Sequence, residues 1–316
     1  MRHGINRDKD NILFLRSRPS VFNLGDYLCT PLHYFDFHCN AYERPFFLRN
    51  KPYKVILGGG AFQNFGLTQN VDPRSTVLWG VGSSLHGSHS VPPNGDNLSY
   101  LLYGLRDPDS TSDPGKVLPC VSCMHPIAAL PRGEETNVFL NFDSNITDRT
   151  KFSRQFFDKE RGIKFYWNCL NEFDFARIFA RTGKVLTNSY HVAYWSLISG
   201  RDVAIIGYSS KFRSLLKLTG LRKETLVEYD VKDQEKLLAL IRDVIRQDRF
   251  YRLNAFDEAR NEFIRKNIDF AKECKDIGFV QDVSIRPFQR WRSLCRKLNY
   301  DFFETLVRMS KKMRRP

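Results

Sequence analysis

The sequence predicts an α/β fold built as two doubly wound halves facing a cleft, with a helical extension at its C-terminal end. Three observations carry that reading. Short apolar runs of strand length alternate with amphipathic stretches of helical spacing from residue 11 to residue 221. Such βα alternation implies parallel sheets joined by right-handed crossovers. Two stretches are turn-rich, Thr111 to Gly115 and Pro131 to Thr136; the latter is the candidate domain boundary, after which the alternation restarts, and 316 residues are enough for two cores. The expected domains are therefore residues 1–133, residues 134–280 and a terminal segment, residues 281–316.

In the first half, Asn11–Leu15 reads as a buried strand. A turn with Asn23, Gly25 and Asp26 follows, and then a helix through Leu28 and Leu32. Lys54–Leu57 is a second strand ending in Gly58-Gly59-Gly60, and Val77–Gly82 a third. Tyr100–Leu105 is a further strand ending at Arg106-Asp107, and Val117-Leu118 runs into Pro119. In the second half the strands are Asn137–Phe142, Ile163–Trp167, Lys184–Thr187 and Asp202–Ile206. The helices between and after them are Phe152–Lys159, Asn171–Arg181, the segment that carries His191, and Lys211–Leu218 closing at Gly220. From Lys232 to Lys275 the pattern is helical throughout.

Composition narrows the function classes. Hydrophobic residues make up 42% and charged residues 27%, the balance of a packed globular chain rather than a disordered one. No apolar run approaches the roughly 18 residues of a membrane span. The stretch Met1–Asp10 is polar and lacks the apolar core of a signal peptide, so the cytoplasm is the expected compartment. Seven irregularly spaced cysteines argue against a disulfide framework. The formal net charge is +14, and ten Lys or Arg against two acids lie between Arg286 and Pro316. That segment also carries Trp291, Leu294, Leu298, Phe302, Leu306 and Met309 at helical spacing. Two readings stand side by side: a basic amphipathic helix lying on an anionic membrane surface, or a terminal helix docked on its own core with a solvated face. No zinc-finger, RNA-recognition or helix-turn-helix pattern accompanies the charge, so nucleic acid is not an expected partner.

The richest stretch for chemistry is Val185–Trp195, where an apolar strand runs through Thr187-Asn188-Ser189 into a helix with His191 in its first turn. In α/β proteins ligands bind beyond the carboxyl ends of strands, where helix N-termini point free N–H groups at them. A histidine there can exchange a proton near neutral pH. Its bland alternative is an imidazole packed against Tyr194 or Trp195. Gly58-Gly59-Gly60 allows close backbone approach to a phosphate, or is a tight turn; it matches neither the dinucleotide fingerprint nor the Walker pattern. Asn23 and Asp26 line another strand exit, or cap a helix. Arg106 suits a bidentate anion clamp, or pairs with Asp107 at the surface. Lys211 stands at a helix start, where its charge opposes the helix dipole, a mismatch that favours a ligand-binding role. Cys120-x-x-Cys123-x-His125 lacks the second ligand pair that a zinc site needs, and reads as reduced thiols in a loop.

In order along the chain, Asn23, Gly25 and Asp26, then Gly58–Gly60, Gly80 and Gly82, Arg106 and Asp107, His191 and Lys211 form a pattern that resembles the polysaccharide pyruvyl transferase family across residues 11–221. The resemblance implies two Rossmann-like domains arranged as in the GT-B glycosyltransferases. It also implies transfer of the enolpyruvyl group of phosphoenolpyruvate to two hydroxyls of a sugar, forming a pyruvate ketal, with no cofactor and no metal. His191 then matches the acid/base histidine, and Arg106 an arginine that holds the anionic donor. Asn23, Gly25, Asp26, Gly58, Gly59, Gly60, Gly82, Ser189 and Lys211 fall to substrate binding. Many members have Arg-x-His where this chain has Ser189-Tyr190-His191, which removes one anion ligand and leaves the donor open. The implied acceptor is a surface or capsular polysaccharide precursor, and a lipid-linked one would suit the basic terminal helix at the inner face of the membrane. Two other readings remain: a nucleotide-sugar glycosyltransferase on the same scaffold, and a binding protein without catalysis.

Overall fold

The structure, a computed structural model, describes residues 12–15, 22–37, 41–42, 54–62, 71–85, 93–141, 154–229 and 233–285. The terminal segment of residues 286–316, with its expected amphipathic helix, lies outside the described residues.

Twelve strands and seven α-helices are described. The strands of the first half are β1 (Ile12–Leu15), β2 (Asp36–Phe37), β3 (Ala41–Tyr42), β4 (Lys54–Gly58), β5 (Thr76–Val81) and β6 (Leu102–Leu105), with helix α1 (Leu24–Leu28) after β1. The second half runs β7 (Glu135–Leu140), α2 (Arg154–Asp158), β8 (Phe165–Trp167), α3 (Glu172–Arg181), β9 (Thr182–Thr187), α4 (Tyr190–Leu197), β10 (Asp202–Gly207), α5 (Ser210–Thr219) and β11 (Leu226–Glu228). Two longer helices follow, α6 (Gln234–Arg246) and α7 (Phe256–Asp276), and then β12 (Val280–Asp282).

The protein is thus α/β, with two five-stranded sheets whose strands all pair in parallel. Their orders are β3-β1-β4-β5-β6 and β11-β10-β9-β7-β8. Numbered by appearance within its own sheet, each reads 2-1-3-4-5 in one direction or the other. Strand order therefore reverses between β1 and β4 in the first sheet, and between β7 and β9 in the second. In an open parallel sheet the crevice at that reversal is where ligands collect.

Local sequence explains most element ends. Asn23 caps α1, its side chain accepting from the N–H groups of Gly25 and Asp26. The helix stops at Leu28 rather than continuing through Leu32, because Thr30 precedes Pro31 and is extended, and a short 3-10 turn over Pro31–His33 follows. Asn171 caps α3, and Gly220, left-handed with φ 69°, closes α5. The expected continuous helix over residues 232–275 is two helices. Between them Asp248 takes a positive φ of 49°, and Tyr251 pairs with Val203 at the end of β10.

The turn-rich stretch near Pro131 does separate the two sheets, since β7 begins at Glu135. Buried Arg201 fastens it. Its guanidinium donates to the carbonyls of Leu130, Pro131, Phe179 and Thr182 and to the Ser199 hydroxyl, and lies 3.8 Å from the Phe179 ring centroid.

The expected boundary at residue 280 is crossed much earlier. Along α7, Phe263 stacks on Tyr194 of the second half at 5.9 Å, whereas Phe270 meets Trp79 of the first sheet at 5.0 Å. Phe270, Ala271, Cys274, Phe279 and Val280 share a core with Ile12, Phe14, Ile56, Val77 and Trp79. Asn267 accepts from the Trp79 indole N–H at 2.9 Å, and β12 pairs with β2. The later apolar positions of α7, Phe270, Ala271 and Cys274, lie on the first sheet, and burying a large apolar side chain such as Phe270 stabilises by about 1.5–3 kcal/mol.

Candidate functional site

The sheet reversals place α1 and α4 against each other. The Leu24 N–H donates to the Asn168 carbonyl at 3.0 Å, so the first turn of α1 is completed by the second half. A shared core of Tyr27, Leu28, Cys29, Cys120, Cys123, Tyr190, Tyr194 and Trp195 fills the junction. The expected open cleft is closed at this point.

His191 occupies the second position of α4 and is buried. Its Nδ1 lies 3.8 Å from Asp26 Oδ1 on α1. Gly25 makes this approach possible: a Cβ there would overlap the His191 imidazole and approach its Cβ to 2.5 Å. The ring also packs on Trp195, with centroids 5.9 Å apart, so the packing reading is partly realised. It does not account for Nε2, which is buried and has no hydrogen-bond partner among the described residues. Burial, followed by the positive charges of Arg106 and Lys211, holds the His191 pKa well below the usual histidine value. The resting ring is thereby biased toward its neutral form.

Arg106, just beyond β6, is 2% exposed rather than at the surface. Its Nε is 3.6 Å from Asp107 Oδ1, its Cζ lies 4.0 Å from the centroid of the Tyr190 ring, and Nε and Nη2 have no hydrogen-bond acceptor among the described residues. Gly82 lets it in, since a Cβ at that residue would sit 2.5 Å from Nη2. Asp107 is buried and accepts from the Ser83 N–H at 2.5 Å; burial pushes its carboxyl pKa up against the pull of Arg106. Lys211, in the first turn of α5, donates to the Tyr208 hydroxyl at 2.7 Å. Ser209 and Ser210, just before it, hydrogen-bond to Ser84 and Leu85 of the first half.

The other expected site residues fall into packing roles. Gly59 and Gly60 take positive φ of 56° and 80°, and a Cβ on Gly59 would come within 2.7 Å of Cys29 Sγ. The N–H groups of Gly59 and Gly82 donate to the Trp79 and Gly60 carbonyls, so neither is open to a phosphate. A Cβ on Gly58 would meet Pro31 at 2.7 Å. The triple glycine is a tight turn against α1. Asn23 is a helix cap. Ser189 stands at the N-cap of α4, but its hydroxyl makes no capping bond, and its own N–H donates to Thr187 Oγ1 at 2.9 Å.

Cys120, Cys123 and His125 do not converge. The Cys120 thiol meets the Ser122 hydroxyl, burial pushes both thiol pKa values up, and His125 faces Glu172 at 3.4 Å. Among the described residues, the group able to gather round a metal is Asp26, Cys29 and His191, whose ligand atoms lie within 4.8 Å of one another. Oxygen, sulfur and nitrogen suit a transition metal. Arg106 and Lys211 add positive charge around the same ring, which opposes a cation there.

The arrangement can therefore bind a small oxyanion and pass a proton beside it. Sequence reasoning missed Tyr190, although its place next to His191 in the first turn of α4 was visible. No protein-family model, curated protein or solved structure matches the chain. Among the described residues, no helix is long and apolar enough to cross a membrane.

Proposed function

We propose that the protein is a transferase that moves the enolpyruvyl group of phosphoenolpyruvate to a sugar of a cell-surface polysaccharide or its precursor, forming a pyruvate ketal. On this reading the two sheets are Rossmann-like domains of a GT-B-like pair, working at the cytoplasmic face of the membrane. One observation carries it: Arg106 Nη2, just beyond β6, and His191 Nε2, at the start of α4, are buried nitrogens without a hydrogen-bond partner among the described residues, and the charges of Arg106 and Lys211 both act on the His191 ring. A buried guanidinium N–H without an acceptor, on the same site as an imidazole that can take up a proton, suits a small reactant that carries carboxylate and phosphate.

The chemistry follows from those groups. The donor's negative charge offsets Arg106 and Lys211, which otherwise repel a proton from His191. Donor binding therefore raises the imidazole pKa, and Asp26 beside Nδ1 favours the imidazolium further. His191 gives its proton to the methylene carbon of phosphoenolpyruvate. The adjacent carbon becomes cation-like, and a sugar hydroxyl adds to it, losing its proton. The carbon–oxygen bond to phosphate breaks and phosphate departs with the electron pair. A second hydroxyl closes the ketal and loses its proton. Arg106 stabilises the charge that collects on carboxylate and phosphate.

A donor screen tests this. Thermal stabilisation by phosphoenolpyruvate, and phosphate release in the presence of an oligosaccharide acceptor, are expected. Stabilisation by nucleotide sugars instead would replace the reading with glycosyl transfer. No response to either class would leave a binding protein without this chemistry.

A further inference from the structure

Helix α4 buries four aromatic rings that carry a polar tip, and their fates differ. The Tyr194 hydroxyl donates to the Cys120 carbonyl at 3.0 Å, and the Trp195 indole N–H donates to the Ser122 hydroxyl at 3.0 Å. The Tyr190 hydroxyl and His191 Nε2 are also buried but have no hydrogen-bond partner among the described residues. Both unpartnered tips belong to the first turn, the end of the helix that carries the free N–H groups and the positive dipole.

The Tyr190 ring is fully accounted for by packing. It stacks on Tyr194 at 6.1 Å, meets His191 edge-on at 5.4 Å and lies under the Arg106 guanidinium. Phenylalanine would supply all of those contacts. The hydroxyl is the part that packing leaves unexplained, and burying it without a partner disfavours the fold. Burial, opposed by Arg106, pushes the phenol pKa up, so it is a neutral donor. Its neighbour Arg106 has Nη2 in the same condition, while its Nε faces Asp107.

We propose that the Tyr190 hydroxyl and the Nη2 group of Arg106 together bind one oxyanion of the substrate, with Tyr190 a contact residue that sets affinity for it. This rests on the anionic-donor reading above and adds a residue to it. Every group in the set donates, so the ligand atom must be an acceptor with negative charge. A carboxylate or a phosphate meets that requirement; a sugar hydroxyl or an amide does not need it. Arg106 keeps its Nε toward Asp107, which leaves Nη2 as the N–H it can offer beside the Tyr190 hydroxyl.

The experiment is calorimetric titration of wild type and Tyr190→Phe with phosphoenolpyruvate, pyruvate and inorganic phosphate, together with the melting temperature of each protein without ligand. Removing a hydrogen bond to a charged group is expected to weaken phosphoenolpyruvate binding by about 10- to 100-fold. The ligand-free variant should melt at the same temperature as wild type or higher, because it no longer buries an unpartnered hydroxyl. A purely structural hydroxyl would do the reverse. Loss of affinity for pyruvate alone assigns the carboxylate to Tyr190, and loss for inorganic phosphate alone assigns the phosphate; both support the proposal. Equal affinity of variant and wild type for phosphoenolpyruvate would overturn it while leaving the anionic site intact. So would a ligand-free Tyr190→Phe that is less stable. Wild type that binds none of the three probes would overturn both the proposal and the reading beneath it.

Discussion

Gly25 and His191 occupy one another's space: where a side chain at residue 25 would begin, the imidazole of His191 is already present. The contact reaches the His191 Cβ, so no rotation about χ1 relieves it. A methyl group at residue 25 must push α1 away from α4. Gly25→Ala is expected to cost about 1–3 kcal/mol, the range for overpacking a filled interior. Urea denaturation measures it. Adding His191→Ala should recover part of the loss, because the two changes share one contact. Strict additivity would show that the contact does not exist.

The neutral state of His191 has a thermodynamic signature. An unfolded imidazole takes up a proton near pH 6.5, whereas the folded one does so only well below that value. Between the two, the unfolded chain binds more protons, so stability falls as pH falls. The contribution is fully present above about pH 6.5 and declines below it by up to about 1.4 kcal/mol per pH unit. Comparing wild type with His191→Gln from pH 8 to pH 5 tests this. The difference should be flat above pH 6.5 and then shift against wild type. A flat difference throughout would mean the ring titrates normally in the fold.

Turnover gives the chemical counterpart. With the general acid removed, His191→Ala should lower the rate of phosphate release from phosphoenolpyruvate by about 100- to 10,000-fold. Circular dichroism would first establish that the variant folds. Near-normal turnover would remove His191 from the mechanism.

Arg201 is a structural residue that resembles a functional one. It is a buried guanidinium that donates, among the described residues, to four carbonyls and a hydroxyl around the connection between the two sheets. Arg201→Met keeps the length but leaves those acceptors unpaired, and a loss of about 3 kcal/mol or more is expected. Binding of phosphoenolpyruvate by the folded fraction should be unchanged. A loss of stability below about 0.5 kcal/mol would show that water replaces the guanidinium at little cost.

The sequence made the alternation of elements readable because each strand is a short apolar run bounded by turn residues, as in Lys54–Leu57 before its glycines. The parallel sheets followed from that. The break between α6 and α7 was hidden, because residues 247–255 hold neither proline nor glycine, and it is a tertiary pairing, Tyr251 with Val203, that interrupts the helix. The return of α7 to the first sheet was hidden too, since an amphipathic pattern identifies an apolar face but not its partner. At the site, residue types at strand exits pointed to Arg106, His191 and Lys211. The same logic offered the triple glycine either for close approach to a phosphate or as a tight turn; the Gly59 N–H is taken by the Trp79 carbonyl, and sequence does not reveal which N–H groups a neighbouring carbonyl has already taken. Tyr190 went unnoticed because an aromatic at a helix start reads as core until its hydroxyl is seen to lack a partner.

Helix α7 constrains how a reactant could reach this enclosed place. The chain passes between the halves at the turn near Pro131 and again through α7, whose Phe263 grips one half and Phe270 the other. Those two rings are about 10 Å apart on a single stiff rod. The halves therefore cannot simply slide apart; one of the two grips must release, or the pair must swivel about the line joining the two crossings. Admission would then be governed along this splint, and side chains on it would set the rate of entry without touching what enters.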